Sequence, residues 1–170
     1  IYKVIKAFIE SKTKIKCNEI KKMNLKKFVK IEVNKNQVGS DRLANAIGVI
    51  DNKSNFIIVD FGTATTFDII NKNKYLGGVI SPGINLSLET LTSKASLIPS
   101  VNLTKIPNVI GTNTKTAIKS GFYWGYAGLI DNIIKLISKH SKKSYKIVLT
   151  GGYSSLFKSS INSKSLIMKD

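Results

Sequence analysis

The stretch Asp60-Phe61-Gly62-Thr63-Ala64-Thr65-Thr66-Phe67-Asp68 crowds carboxylates, a glycine and threonine hydroxyls into one short segment. An apolar run from Phe56 to Val59 leads in, and a second strand-like run from Thr65 to Ile70 leads out. That order predicts strand, tight turn, strand. Glycine at such a turn lets the backbone approach a ligand closely. Threonine hydroxyls and turn N–H groups can bind phosphate oxygens. A carboxylate repels phosphate, so Asp60 would act by holding a cation that touches it. Taken alone, the stretch reads equally as a plain hairpin with threonine chosen for its strand preference.

Upstream stands Gly39-Ser40-Asp41-Arg42. Arg42 is the lone arginine among 27 basic residues. Where lysine is the default, one arginine points to a task that needs a planar, bidentate donor. An aspartate able to take a proton, beside an arginine able to grip a carboxylate, suits a small acidic substrate with a hydroxyl to activate. The plainer alternative is that Ser40 or Asp41 caps a helix. Two more glycine turns, Gly77-Gly78-Val79-Ile80-Ser81-Pro82-Gly83 and Thr150-Gly151-Gly152, stand at strand ends. Gly111-Thr112-Asn113-Thr114 reads as a helix cap. Gly121, Gly125 and Gly128 fall near one helical stripe and read as close helix packing. His140 reads as surface, Trp124 as core or interface, and Cys17 as structural.

The elements that must position these residues follow from periodicity. A helix is predicted over 1–12, a strand over 29–33 and a polar loop over 34–37. A helix opens at Gly39–Arg42 and runs to Ile50, followed by a turn from Asp51 to Asn55. Three strands come next, at 56–60, 65–70 and 75–81, and their short connections make them antiparallel. A helix through Ile84, Leu88 and Leu91 follows, then a loop over 96–108. A long helix starts at Asn113-Thr114 and reaches Ile137. A buried strand over 146–149 and a helix or turn from Tyr153 complete the order. Residues 13–28 are lysine-rich and show no clear period.

Composition narrows the class. With 170 residues, 42% of them hydrophobic, the chain can bury a proper core. No run of ~18 apolar residues is present to span a membrane, and no signal peptide is recognisable at the start. A lone Cys17 provides no disulfide framework and fits a reducing cytoplasm. The net charge is +17. Its lysines are scattered, with no aromatic alternation, so a solvated surface is favoured over a nucleic-acid face. The chain opens at Ile1 and stops at Asp170, and it is expected to be a fragment at both ends.

Five segments occur in the order and spacing of one family, and the chain resembles the type III pantothenate kinases. They are Gly39 to Ala46, Asp60 to Asp68, Gly77 to Gly83, Gly111 to Thr114 with Ala117-Ile118 and Ser120-Gly121, and Thr150 to Gly152. The resemblance implies an actin-like, ribonuclease-H-like α/β fold of two duplicated domains with ATP in the cleft. On that basis 1–51 is the end of the first domain and 52–170 the second. It implies transfer of the ATP γ-phosphoryl group to the hydroxyl of pantothenate, the first step of coenzyme A synthesis. It assigns Asp41 as proton acceptor, Gly39, Ser40, Asp41 and Arg42 with Thr114 to pantothenate, Gly62 and Thr63 to ATP, and Asp60 to potassium or ammonium. It also implies magnesium with ATP, a homodimer and a cytoplasmic location. The family's first phosphate loop, an Asp-x-Gly-Asn-Thr turn, has no match in this chain. Glu32 and Lys35 stand nearest the family's Tyr and Pro before the Gly-x-Asp-Arg segment. Two rival readings are a non-catalytic regulator of the same fold, of the transcriptional accessory type, and another small-molecule kinase of the actin-like superfamily.

Overall fold

The computed structural model describes residues 2–162 and 165–167, with side chains over 3–162. Ile1 and residues 168–170, the outer limits of the expected division into 1–51 and 52–170, lie outside the described residues. The centre is strand β2, Asn55–Phe61, in which Phe56 to Val59 are all buried. Consecutive apolar residues do this only when both faces of a sheet are covered. Strands β3, Ala64–Asn71, and β4, Lys74–Pro82, follow as an antiparallel meander. Strand β5, Lys146–Gly151, lies parallel to β2 on its other side. A short β1, Lys30–Ile31, pairs with β4, and a short β6, Ser165–Ile167, pairs with β5, both parallel. The order is therefore β1-β4-β3-β2-β5-β6. A three-stranded meander extended by parallel strands on the side of its first member is the ribonuclease-H-like arrangement that the family resemblance implied.

The helices are α1, Tyr2–Thr13; α2, Ser40–Val49; α3, Ile84–Lys94; α4, Thr114–Ser141; and α5, Ser154–Phe157. Each meander strand extends one residue beyond its predicted limits at both ends. The strand predicted at 29–33 is reduced to two residues. Strand β6 was not anticipated, since three residues are too few to show alternation. Residues 13–28 contain single 3-10 turns at Ile20–Lys22 and Leu25–Lys27, and the predicted loop over 34–37 contains a third at Lys35–Gln37.

Two cores sandwich the sheet. On one face α3, α4 and α5 cover Ile57, Val59, Phe61, Phe67, Ile147 and Leu149. On the other, α2 covers Phe56, Ile58, Ile70 and Val148. Helix α4 buries Ser120, Tyr123, Ala127, Ile130 and Ile134, the spacing of one helical face. Each large side chain so buried contributes about 1.5–3 kcal/mol. Phe157 stacks between Phe61, at 5.4 Å, and Tyr123, at 5.6 Å, which anchors the end of β2. The glycine stripe does not do what its spacing predicted. A Cβ built at Gly121, Gly125 or Gly128 meets nothing within 4 Å. These residues lie on a different stripe of α4 from the buried one, so no helix of the described chain packs on them.

The link between α2 and the sheet is a tight turn. Asp51 accepts bonds from the N–H groups of Lys53 (2.8 Å) and Ser54 (2.7 Å) and from the Ser54 hydroxyl (2.7 Å). Those bonds, with Lys146 nearby, hold its carboxyl well below the usual range.

Candidate active site

Side chains alternate across a strand, so Asp60 on β2 and Thr66 and Asp68 on β3 share the face covered by α2. Asp60 stands directly opposite Thr66 on one side and Thr150 on the other. This makes a row of oxygens across three strands at the ends of β2 and β5. From α2, Asn45 Nδ2 donates to Asp60 Oδ2 at 2.7 Å. The Thr66 hydroxyl is buried with no hydrogen-bond partner among the described residues. An oxygen-only row with an orphaned hydroxyl suits a hard cation, with Asp60 supplying the charge. No group of three or more His, Cys, Asp or Glu side chains that could hold a metal occurs among the described residues. What the described residues could offer a cation here is one carboxylate plus neutral oxygens.

The turn after Asp60 consists of Gly62 and Thr63, both exposed, and Gly62 N–H donates to Ala64 O at 3.1 Å. Two other glycines close on it. A Cβ at Gly83 would lie 2.2 Å from Thr63 O and 2.7 Å from Gly62 O. Gly151 has φ +82, and a Cβ there would lie 2.6 Å from Asp60 Oδ1. That backbone angle and that contact both require glycine. Gly152 N–H then donates to Phe61 O at 3.2 Å. The structure therefore gathers Asp60, Gly62, Thr63, Gly83 and Gly151, which sequence spacing had only placed at separate strand ends.

Asp41 and Arg42 occupy the first turn of α2. The capping alternative fails for both Ser40 and Asp41, because the N-cap is Gly39 and no side chain bonds there. Asp41 instead folds back over Gly39, where a Cβ would lie 2.2 Å from Asp41 Oδ1. The Asp41 carboxylate is exposed, and it makes no hydrogen bond or ion pair among the described residues. Arg42 is tied down. Its Nε donates to Asp68 Oδ1 at 2.8 Å, and one terminal nitrogen lies 2.7 Å from the same oxygen. Tyr75 Oη donates to that oxygen too, at 2.6 Å. Asp68 and Tyr75 are fully buried. Burial pushes the Asp68 carboxyl up, against the pull of its bonds from Arg42 and Tyr75. Burial also pushes the Tyr75 phenol up and the Asp68 bond adds to this, so Tyr75 remains a donor. For Arg42 burial acts downward, but Asp68 outweighs it and holds the guanidinium charged.

Thr114 is exposed at the first position of α4, in the layer across the sheet from α2. No hydrogen bond joins it to Asp41 or Arg42. The cap predicted in that segment is present: Asn113 and Thr116 form a reciprocal capping box. His140 is exposed, as expected, and Cys17 is a half-buried free thiol. Trp124 packs on the larger core. Sequence reasoning assigned nothing to Asn45, Asp68, Tyr75 or Gly78. The available signal was Asp68 itself, an acid in a strand otherwise written Thr-Phe-Asp-Ile-Ile, which must find a partner when buried.

Residues 1–136 match the model of the family described as type III pantothenate kinase. A type III pantothenate kinase of Pelagibacter ubique is 60% identical over 169 residues, covering 99% of this chain and 68% of the relative. One from Cereibacter sphaeroides is 49% identical over 122 residues, covering 71% of this chain and 48% of the relative. One from Koribacter versatilis is 45% identical over 125 residues, covering 72% and 46%. The chain thus spans about two thirds of the first relative's length and about half of the others'. A crystal structure from Campylobacter jejuni, described as a Baf family transcriptional activator, superposes with TM-score 0.59 at 23% identity, covering 91% of this chain and 74% of that one. That likeness bears on the fold alone. Among the described residues no helix is long and apolar enough to cross a membrane. A matched family model over most of the chain, joined to a ribonuclease-H-like sheet with Asp41 and Asp60 on one side of it, places the chain in the type III pantothenate kinase family, a family of ATP-using transferases.

Proposed function

We propose that the protein phosphorylates pantothenate with ATP, as the names of its relatives state for them, and that Asp41 is its proton acceptor. The observation that carries the assignment is the Asp41 carboxylate, exposed and making no hydrogen bond or ion pair among the described residues, on a helix turn whose Arg42 is bonded to the sheet. In this reading Asp41 takes the proton of the pantothenate hydroxyl as its oxygen bonds to the γ-phosphorus, and the bond to the ADP oxygen breaks. The Gly62-Thr63 turn holds ATP phosphate, and Gly39, Ser40 and Arg42 contact pantothenate beside Asp41. Phosphoryl transfer needs chiefly positioning and charge stabilisation, which this set supplies. Asp60 with the threonine oxygens would hold potassium or ammonium, which offsets phosphate charge. Magnesium would arrive with the nucleotide, since that ion commonly binds through substrate phosphates. A cytoplasmic location belongs to the same reading and rests on the lone free thiol. The test is ATP-dependent formation of phosphopantothenate with and without potassium. Product that needs the monovalent cation is expected, and absence of product overturns the reading.

A homodimer is part of this proposal. The glycine stripe of α4 is open, and beside it runs an apolar groove lined by Leu91, Phe122, Tyr126 and Leu129. Close packing against a second copy would use both. It would also give Thr114, which makes no hydrogen bond to Asp41 or Arg42 within one chain, a route to a neighbouring site. Gly125→Glu is expected to convert dimer to monomer in sedimentation equilibrium while the melting of the monomer is unchanged. A dimer that survives this variant removes α4 from the interface.

A further inference from the structure

Asp68 lies outside every role assigned above, yet it is a fully buried carboxylate whose Oδ1 accepts from Arg42 Nε and Tyr75 Oη, with an Arg42 terminal nitrogen 2.7 Å away, while its Oδ2 has no hydrogen-bond partner among the described residues. Such a group is costly unless paired, and several features of the fold converge on its paired oxygen. The β3–β4 ladder slips between Ile69 and Ile70, so that Ile69 opposes Gly77 while Ile70 opposes Tyr75. Leu76 is the extra residue, and Gly77 takes the φ of +120 that this bulge requires. Strict alternation from Gly78 would put Tyr75 on the face toward α4. The bulge turns it to the face toward α2, where its hydroxyl meets Asp68. Opposite Asp68 on β4 stands Gly78. A Cβ there would lie 2.1 Å from the Arg42 terminal nitrogen, so glycine leaves the space that the guanidinium occupies.

We propose that Asp68, seated by Tyr75 and reached through the gap at Gly78, is a positioning residue that fixes Arg42, and through it the first turn of α2, so that Asp41 and Arg42 meet the substrate in one geometry. The inference rests on the reading of Asp41 and Arg42 as the pantothenate end of the site. Among the described residues Arg42 to Asp68 and Asn45 to Asp60 tie α2 to the sheet, one helical turn apart. The second tie serves the cation and nucleotide end of the site. Asp68 therefore acts on the acid substrate selectively, and its loss should separate the two substrates.

The experiment compares wild type, Asp68→Asn and Tyr75→Phe by hydrogen exchange and by steady-state kinetics. Asn keeps the shape and removes the charge, and Phe fills the same space with one donor fewer. In Asp68→Asn the amides of residues 40–45 are expected to exchange faster, while β2 and β3 keep their protection. kcat/KM for pantothenate should fall on the order of 10²-fold, the effect of about 1 Å of misplacement. KM for ATP should stay within about twofold, since a uniform structural loss would move both substrates. Tyr75→Phe should move the same readouts in the same direction by less. Unchanged exchange over 40–45, or equal loss toward both substrates, overturns the proposal. If wild type forms no phosphopantothenate, the kinase reading fails separately and the exchange arm alone decides the role of Asp68.

Discussion

Asp41→Asn is expected to lower turnover of pantothenate by about 10²–10⁴-fold, the usual contribution of a positioned general base. The same variant should leave stability within about 0.5 kcal/mol, as for an exposed side chain that makes no hydrogen bond or ion pair. The geometry makes that separation sharp. Asp41 caps nothing, pairs with nothing among the described residues and lies exposed over Gly39. The neighbouring Arg42 is bonded elsewhere, so removing the Asp41 charge leaves the buried pair with Asp68 intact. Turnover measured beside thermal melting checks this. A loss below about tenfold would mean that the proton leaves by another route. A large fall in melting temperature would mean that the carboxylate holds the helix turn after all.

The hairpin around Gly62 was legible in the sequence because the apolar run Phe56 to Val59 leads into it and its turn residues are unambiguous. The long helix α4 was legible because one face repeats through Tyr123, Ala127, Ile130 and Ile134. What escaped was whatever depends on contacts between segments far apart in the chain. Asp68 stands 26 residues from Arg42, and no local pattern announces that pair. The inward turn of Tyr75 depends on a bulge, and one inserted residue reverses the face that alternation predicts. The glycine stripe of α4 failed for a related reason. Spacing shows that residues share a stripe, but which stripe is covered depends on the layers around the helix. Arg42 shows both sides of this. Its isolation among lysines correctly marked it as special, but the partner the structure gives it is a buried carboxylate.

The second large effect is expected at Gly83, which no side-chain chemistry would select. Its φ is −74, so alanine suffers no backbone strain there. Gly→Ala at such a position would ordinarily stabilise by about 0.4–1 kcal/mol through the unfolded chain. Space decides otherwise. The new Cβ would lie 2.2 Å from Thr63 O and 2.6 Å from Thr63 C, and both are backbone atoms that no rotamer change can move aside. Overpacking of this kind costs about 1–3 kcal/mol, which exceeds the entropic gain. The strain has two outlets, the start of α3 or the Gly62-Thr63 turn. Ile84 is buried in the larger core and holds α3 in place, whereas Gly62 and Thr63 are exposed. The turn should therefore move. Gly83→Ala is expected to weaken ATP binding on the order of 10²-fold and to leave pantothenate binding little changed, the reverse of the Asp68→Asn pattern. Gly152→Ala is the matched control, because a Cβ there meets nothing within 4 Å. Calorimetric titration of each variant with ATP and with pantothenate makes the comparison. Full ATP affinity in a folded Gly83→Ala protein would remove the phosphate from this turn, and the role of Asp60 as a cation ligand beside it would lose its basis.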